Sequence, residues 1–202
     1  MTESTMVTSR GWWDLADHDQ FYPDDLPEDW QLSYFANQFR ATLLPAETWT
    51  NAKPTRVAQW QDDVPAGFRF VAEQPTAPPA ADTRQGLQPE GLTQGLGSLL
   101  AGWLEPIDAP TSRSRAAALM GFKPSRCLGY QRLHPLQDDA ACPHEYALMA
   151  PTELHRDLRH AKDWLRKMTE HQGQAPRLII LARPSSNDLM RWQTLLELLG
   201  ME

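Results

Sequence analysis

The chain has 202 residues, of which 41% are hydrophobic and 22% charged, and 19 Lys and Arg against 26 Asp and Glu leave a formal net charge of −7. That length builds one substantial core rather than two full domains. The acidic balance argues against nucleic acid or an anionic membrane surface as partner, because both are held by neutralising phosphates. Two cysteines, Cys127 and Cys142, are too few for a disulfide framework, and neither a signal-peptide pattern nor an apolar run of membrane-spanning length is visible. The expectation is a cytoplasmic protein with reduced thiols.

After a short polar tail, residues 11–15 are predicted as a first strand carrying Trp12 and Trp13. FYPDDLPEDW then supplies turn chemistry, and Pro27, Glu28 and Asp29 suit the first turn of a helix. Leu32, Phe35, Ala36 and Phe39 follow at helical spacing. Ala41 to Ala46 and Phe68 to Glu73 read as buried strands, separated by a helix from Pro54 to Asp62 that buries Val57 and Trp60. Residues 74–95 are rich in Pro, Gly and Gln and are expected to form an internal loop or linker, with few apolar groups to offset the entropy of ordering. Leu96 to Leu104 is predicted as a short apolar helix and Ser112 to Met120 as another.

The remaining elements carry clearer patterns. Cys127 to His134 alternates as a strand does, and Tyr146 to Met149 reads as a shorter one. Thr152 to Met168 is predicted as one helix with Thr152 as its N-cap and a stripe of Leu154, Leu158, Ala161, Leu165 and Met168. Leu178 to Leu181 (LIIL) suits a strand covered on both faces. Ser185 and Asp188 make a capping-box start for a last helix lined by Leu189, Trp192, Leu196 and Leu199 and stopped near Gly200.

Gly11-Trp12, Phe21-Tyr22-Pro23, Trp30, Tyr34, Phe39, Trp60 and Gly67-Phe68-Arg69-Phe70 together resemble the opening of the YecE-like family of uncharacterised TIM-barrel proteins. Gly129-Tyr130-Gln131-Arg132-Leu133-His134 is similar to that family's late Tyr-x-Arg-Leu-His-Gly strand. The departures are concentrated where the family carries polar groups. Its Glu-x-Asn on the second strand is replaced by Leu43 and Pro45, and the following Ser-Thr-Phe-Tyr by Ala46-Glu47-Thr48-Trp49. Its Phe-Asn-Asn on the last strand is replaced around Leu181-Ala182-Arg183, and the glycine after the late histidine is Pro135.

A closed barrel of this class typically takes ~250 residues, and five or six strand candidates can be counted here. The resemblance therefore implies an α/β fold, TIM-barrel-related but shortened: an incomplete or open barrel of parallel strands with flanking helices, forming a single domain over 1–202. An open sheet would have two edges needing cover from helices or another subunit.

Barrel enzymes place catalytic groups at the C-terminal ends of strands. Those ends give Asp14, Asp17 and His18, then Glu47, then Arg132 and His134, then Arg183 and Ser185. His134, Arg132 and Asp14 are the catalytic candidates, and Arg132, His134 and Glu47 the candidates for binding a phosphate or carboxylate, with His134 as general acid or base. The plainer alternative is that Arg132 pairs with Asp14 or Glu47 and closes the barrel mouth. No metal is expected, because Cys127, His134, Cys142 and His144 lack paired-ligand spacing, and no cofactor motif is present: Gly95-x-Gly97 follows no strand. His155 and His160 read as surface groups, and Trp60, Trp164 and Trp192 as core. Two functions stay open, a non-catalytic protein acting through a homodimer or protein partner, and a metal-independent enzyme or binding protein for a small anion.

Overall fold

The structure, a computed structural model, describes residues 4–75, 87–104, 130–135 and 146–201. The first strand, β1, is Met6–Ser9, not residues 11–15. The chain turns immediately after it at Gly11, whose φ of +90° a side-chain-bearing residue rarely adopts, and the Trp13 ring lies where a Cβ would sit. Trp12 and Trp13 thus belong to a loop that folds back on the core. Trp12 packs edge-on against Trp13 and against Trp60 of the next helical layer.

A single turn of helix, α1 (His18–Phe21), and α2 (Glu28–Ala36) lead into β2 (Ala41–Leu44). A short α3 (Ala46–Thr50) and α4 (Pro54–Asp62, with proline in its first turn) precede β3 (Arg69–Glu73). Two expectations fail in the next stretch. Part of the predicted loop, Pro89–Leu96, is a helix (α5), and most of the predicted helix that follows is a strand, β4 (Leu100–Leu104). Gly97, at φ +52°, ends α5 and splits the apolar run in two. The predicted helix Ser112 to Met120 and the start of the predicted strand, Cys127 to Gly129, lie outside the described residues.

β5 (Tyr130–Pro135), β6 (Tyr146–Ala150) and β7 (Leu178–Leu181) complete the strands. Between the last two, the predicted long helix is broken. Thr152–Leu154 is a 3-10 turn, and α6 (Leu158–Gln172) starts later, capped by Asp157, whose carboxylate accepts from the His160 amide at 3.1 Å. The final helix, α7 (Ser186–Leu198), has the predicted capping box from Ser185 and Asp188.

The seven described strands form one sheet in the order β1-β7-β6-β5-β4-β3-β2. β1, β7 and β6 are mutually parallel, as are β4, β3 and β2, but β5 is antiparallel to both of its neighbours. The expectation of an all-parallel sheet is corrected at this strand. All strands except β5 point the same way, so their C-terminal ends share one rim. No ladder closes the sheet among the described residues. Its two end strands nevertheless touch, through a single bridge between Arg10 and Leu43 and through the Thr8 hydroxyl, which donates to the Ala41 carbonyl at 2.8 Å. These strands therefore partly cover each other's edge.

Side chains alternate between two apolar clusters, as strand geometry requires. One face, with Val7, Leu44, Phe70, Ala72, Leu148, Ile179 and Leu181, lies under the helices and meets Trp49, Trp60, Leu165 and Trp192. The other holds Leu43, Val71, Leu104, Ala147, Met149, Leu178 and Ile180. Burying each such aliphatic side chain contributes about 1.5–3 kcal/mol relative to leaving it in water. Both faces being buried explains why LIIL reads as an unbroken apolar run. No described helix is long and apolar enough to cross a membrane.

Candidate functional site

Arg10 follows β1 on the same side of the sheet as Met6 and Thr8, four and two positions earlier, and so emerges at the rim over the second apolar cluster. Glu73 is the last residue of β3, two positions after Val71 of that cluster. The Arg10 guanidinium donates to the Glu73 carboxylate at 2.8 Å and reaches Glu47, at the start of α3, at 3.4 Å. Burial across this set is uneven: the Glu73 side chain is 7% exposed, Arg10 38% and Glu47 64%. Glu73 is further fixed through its backbone, since the buried Trp49 indole donates to its carbonyl at 2.9 Å. A buried carboxylate is tolerated only when paired, and the guanidinium meets that need. The link from Arg10 to Glu47 is an exposed, longer contact of small energetic weight.

Of the expected site residues, Glu47 joins this cluster. Its ionic partner is Arg10, which was not among the expected residues, and neither was Glu73. Both follow from the rule that strand C-termini carry the rim groups: Glu73 because the strand expected from Phe68 already ends on it, and Arg10 once the first strand is placed at Met6–Ser9. Asp14 is half-buried in the loop after β1. Asp17 is structural. Its carboxylate accepts from the Ser186 amide at 2.8 Å and from the Ser186 hydroxyl at 2.6 Å, tying the β1 loop to the start of α7. His18 lies beside Asp19 at the surface, 3.0 Å away.

Arg132 stands opposite Tyr146 and His134 opposite Trp103 in the register of β5. Tyr146 is the first residue of β6 and Trp103 the last but one of β4, so the register sets Arg132 level with the N-terminal end of β6 and His134 one residue short of the C-terminal end of β4. Cys127, Cys142 and His144 lie outside the described residues. Among the described residues no cluster of three or more His, Cys, Asp or Glu could hold a metal ion.

A second polar group near the rim is His155, which is buried rather than at the surface as expected. The break between the 3-10 turn and α6 frees it from the helix, and its ring is buried, with Nε2 left without a hydrogen-bond partner among the described residues. Burial pushes this imidazole below its ordinary pKa, against the opposing pull of the nearby Asp188 carboxylate. The Trp192 indole donates to the His155 carbonyl at 3.2 Å, so the residue also anchors α7. Arg183, past the end of β7, is exposed and adopts φ +47°, the described non-glycine residue in the left-handed region. Trp60, Trp164 and Trp192 are in the core as expected, and Trp12 and Trp49 join them.

Residues 7–79 match the model of a family described as "Protein of unknown function DUF72". That span takes in β1 to β3 with Arg10, Glu47 and Glu73, so the whole rim cluster lies within the segment that resembles an uncharacterised family. No curated protein and no solved structure matches the chain.

Proposed function

We propose that this protein is a divergent YecE-like relative of the TIM-barrel group, a single domain working in the cytoplasm, whose ancestral site has become structural. It acts through contact with a protein, either a second copy or a different partner. The observation that carries this reading is the Arg10 cluster. The rim cation is held by Glu73 and Glu47, directly above an apolar inner face of Leu43, Val71 and Ile180. Leu43 and Pro45 also occupy the positions where the resembling family carries an acid and an amide. An arginine already neutralised by two carboxylates is poorly placed to recruit an anionic substrate.

The competing reading has Arg132, His134 and Glu47 bind a small phosphate or carboxylate ligand. A thermal-shift screen of phosphorylated and carboxylated metabolites separates the two. We expect no compound to raise the melting temperature of the wild type by more than about 1 °C at millimolar concentration, since a bound ligand stabilises by mass action. A compound that stabilises the wild type by several degrees, and loses this effect in Arg132→Gln or His134→Gln, overturns the structural reading.

A further inference from the structure

His155 follows the 3-10 turn after β6 and stands two positions before Asp157, the cap of α6, so it occupies the hinge between two helical segments. It is 5% exposed, and its Nε2 meets no hydrogen-bond partner among the described residues. The same hinge fastens the last helix: the His155 carbonyl accepts from the Trp192 indole and the Arg156 carbonyl from the Arg191 guanidinium, each at 3.2 Å. A neutral imidazole has one nitrogen that donates and one that accepts, whereas an imidazolium donates from both. Protonating this ring therefore buries a charged N–H with nothing set to receive it. The charged groups around it supply no ready acceptor. Glu153, on the 3-10 turn, is exposed, and Arg156 adds a like charge. At the start of α6, Asp157 is engaged by His160, whose ring nitrogen lies 2.6 Å from its carboxylate. That leaves Asp188 on α7, itself buried. One of its oxygens already accepts from the Ser185 amide at 3.0 Å in the capping box, and the other lies 4.0 Å from the Arg156 guanidinium. An imidazolium is thus satisfied only if the ring swings out through the hinge to water or Asp188 leaves its cap.

We propose that the hinge at His155 is an acid-sensitive latch: protonation of its imidazole opens the seam between residues 151–157 and the first turns of α7, while the sheet stays folded. Burial disfavours the charged ring in the closed seam, so the open form takes up the proton first and acidification draws the equilibrium toward it. The opening reaches the rim through α7. Its first turn holds the β1 loop by the Asp17 carboxylate on Ser186, and the Ala16 amide donates to the Pro184 carbonyl at 2.8 Å. The latch is a property of the β6–α6–α7 side of the sheet and does not depend on what the protein contacts.

The test is hydrogen–deuterium exchange of the full chain, read by mass spectrometry at about pH 7 and about pH 5.5, with labelling times scaled to the intrinsic exchange rate at each pH. An open imidazole titrating near 6.5, against a closed one that takes no proton, sets a ceiling of about eightfold on the change in opening. Protection over residues 151–157 and the first turn of α7 is therefore expected to fall by about two- to eightfold on acidification, with β2, β3 and α4 unchanged. His155→Gln should hold the hinge at one level of protection at both pH values. His160→Gln, which alters the neighbouring imidazole at the start of α6, should respond as the wild type does. If His155→Gln does not fold, the His155 ring is followed by NMR in the wild type, and its titration should run together with the loss of hinge protection. The proposal fails if the hinge keeps its protection at the lower pH, or if the ring titrates while the hinge stays closed. It fails equally if the sheet loses protection by the same factor, if His155→Gln responds as the wild type does, or if His160→Gln abolishes the response.

Discussion

Removing Arg10 tests whether the rim cluster is structural. Arg10→Met keeps much of the length of the side chain and deletes the charge, so the Glu73 carboxylate, 7% exposed, loses its 2.8 Å guanidinium partner. Breaking a fully buried ion pair costs about 3–5 kcal/mol. Here Arg10 is 38% exposed, and water can reach the vacated space, so we expect about 2 kcal/mol. Glu47→Gln, at an exposed and longer contact, should cost less than about 0.5 kcal/mol. Combining Arg10→Met with Glu73→Gln removes both charges and should recover more than half of the loss, since an uncharged pair leaves no carboxylate to desolvate. Urea denaturation of the wild type, Arg10→Met, Glu73→Gln and their combination gives the coupling energy directly. In a chain of this size 2 kcal/mol corresponds to about 4–8 °C in melting temperature. A cost for Arg10→Met no greater than that of Glu47→Gln refutes the structural role, as does a double variant as unstable as the sum of its singles.

Two single residues carry the other expected outcomes. Arg183 holds φ +47° after β7, a conformation costing an L-residue roughly 1–2 kcal/mol; Arg183→Gly should therefore raise the urea midpoint, and an unchanged or lower midpoint would show that the side chain contributes more than the strain. The His155 imidazole is depressed below 6.5 by burial, so it is neutral in both states well above that pH and full stability is present there. Below it the unfolded chain binds the proton first, and stability falls until the folded imidazole titrates too. Urea midpoints measured from about pH 7 to about pH 5 should fall more steeply in the wild type than in His155→Gln; parallel curves would remove His155 as the cause.

How far a sequence reveals its fold depends on where the physical signal is stored. β2, β3 and β7 are legible because unbroken apolar runs sit between turn residues, and α4 and α7 because Pro54, Ser185 and Asp188 mark their starts. β1 is hard to see because Met-Val-Thr-Ser is only four residues long, lies next to a conspicuous Trp12-Trp13 pair, and is stabilised by β7 at the far end of the sequence. β4 resembles a helix because Leu-Leu-Ala-Gly-Trp-Leu lacks either period, and length alone does not decide a short apolar run. The candidate site inherits the first of these difficulties. With the first strand expected at residues 11–15, Arg10 falls in a tail and Asp14 takes the rim position that belongs to it. His155 is misplaced by the sequence pattern because a continuous helix from Thr152 hides the break that turns its ring inward.

The seam between β1 and β7 has a consequence for how the molecule is made. Thr5 donates its hydroxyl to the Pro176 carbonyl 171 positions away, and Met6 to Ser9 lie in register with Leu178 to Leu181. β1 thus waits for a strand made much later in synthesis, and contacts this distant in sequence slow folding. During synthesis the nascent β1–β3 segment has neither its β7 neighbour nor the α7 cap that Asp17 holds, and its apolar surface is open to chaperones until β7 and α7 have been made.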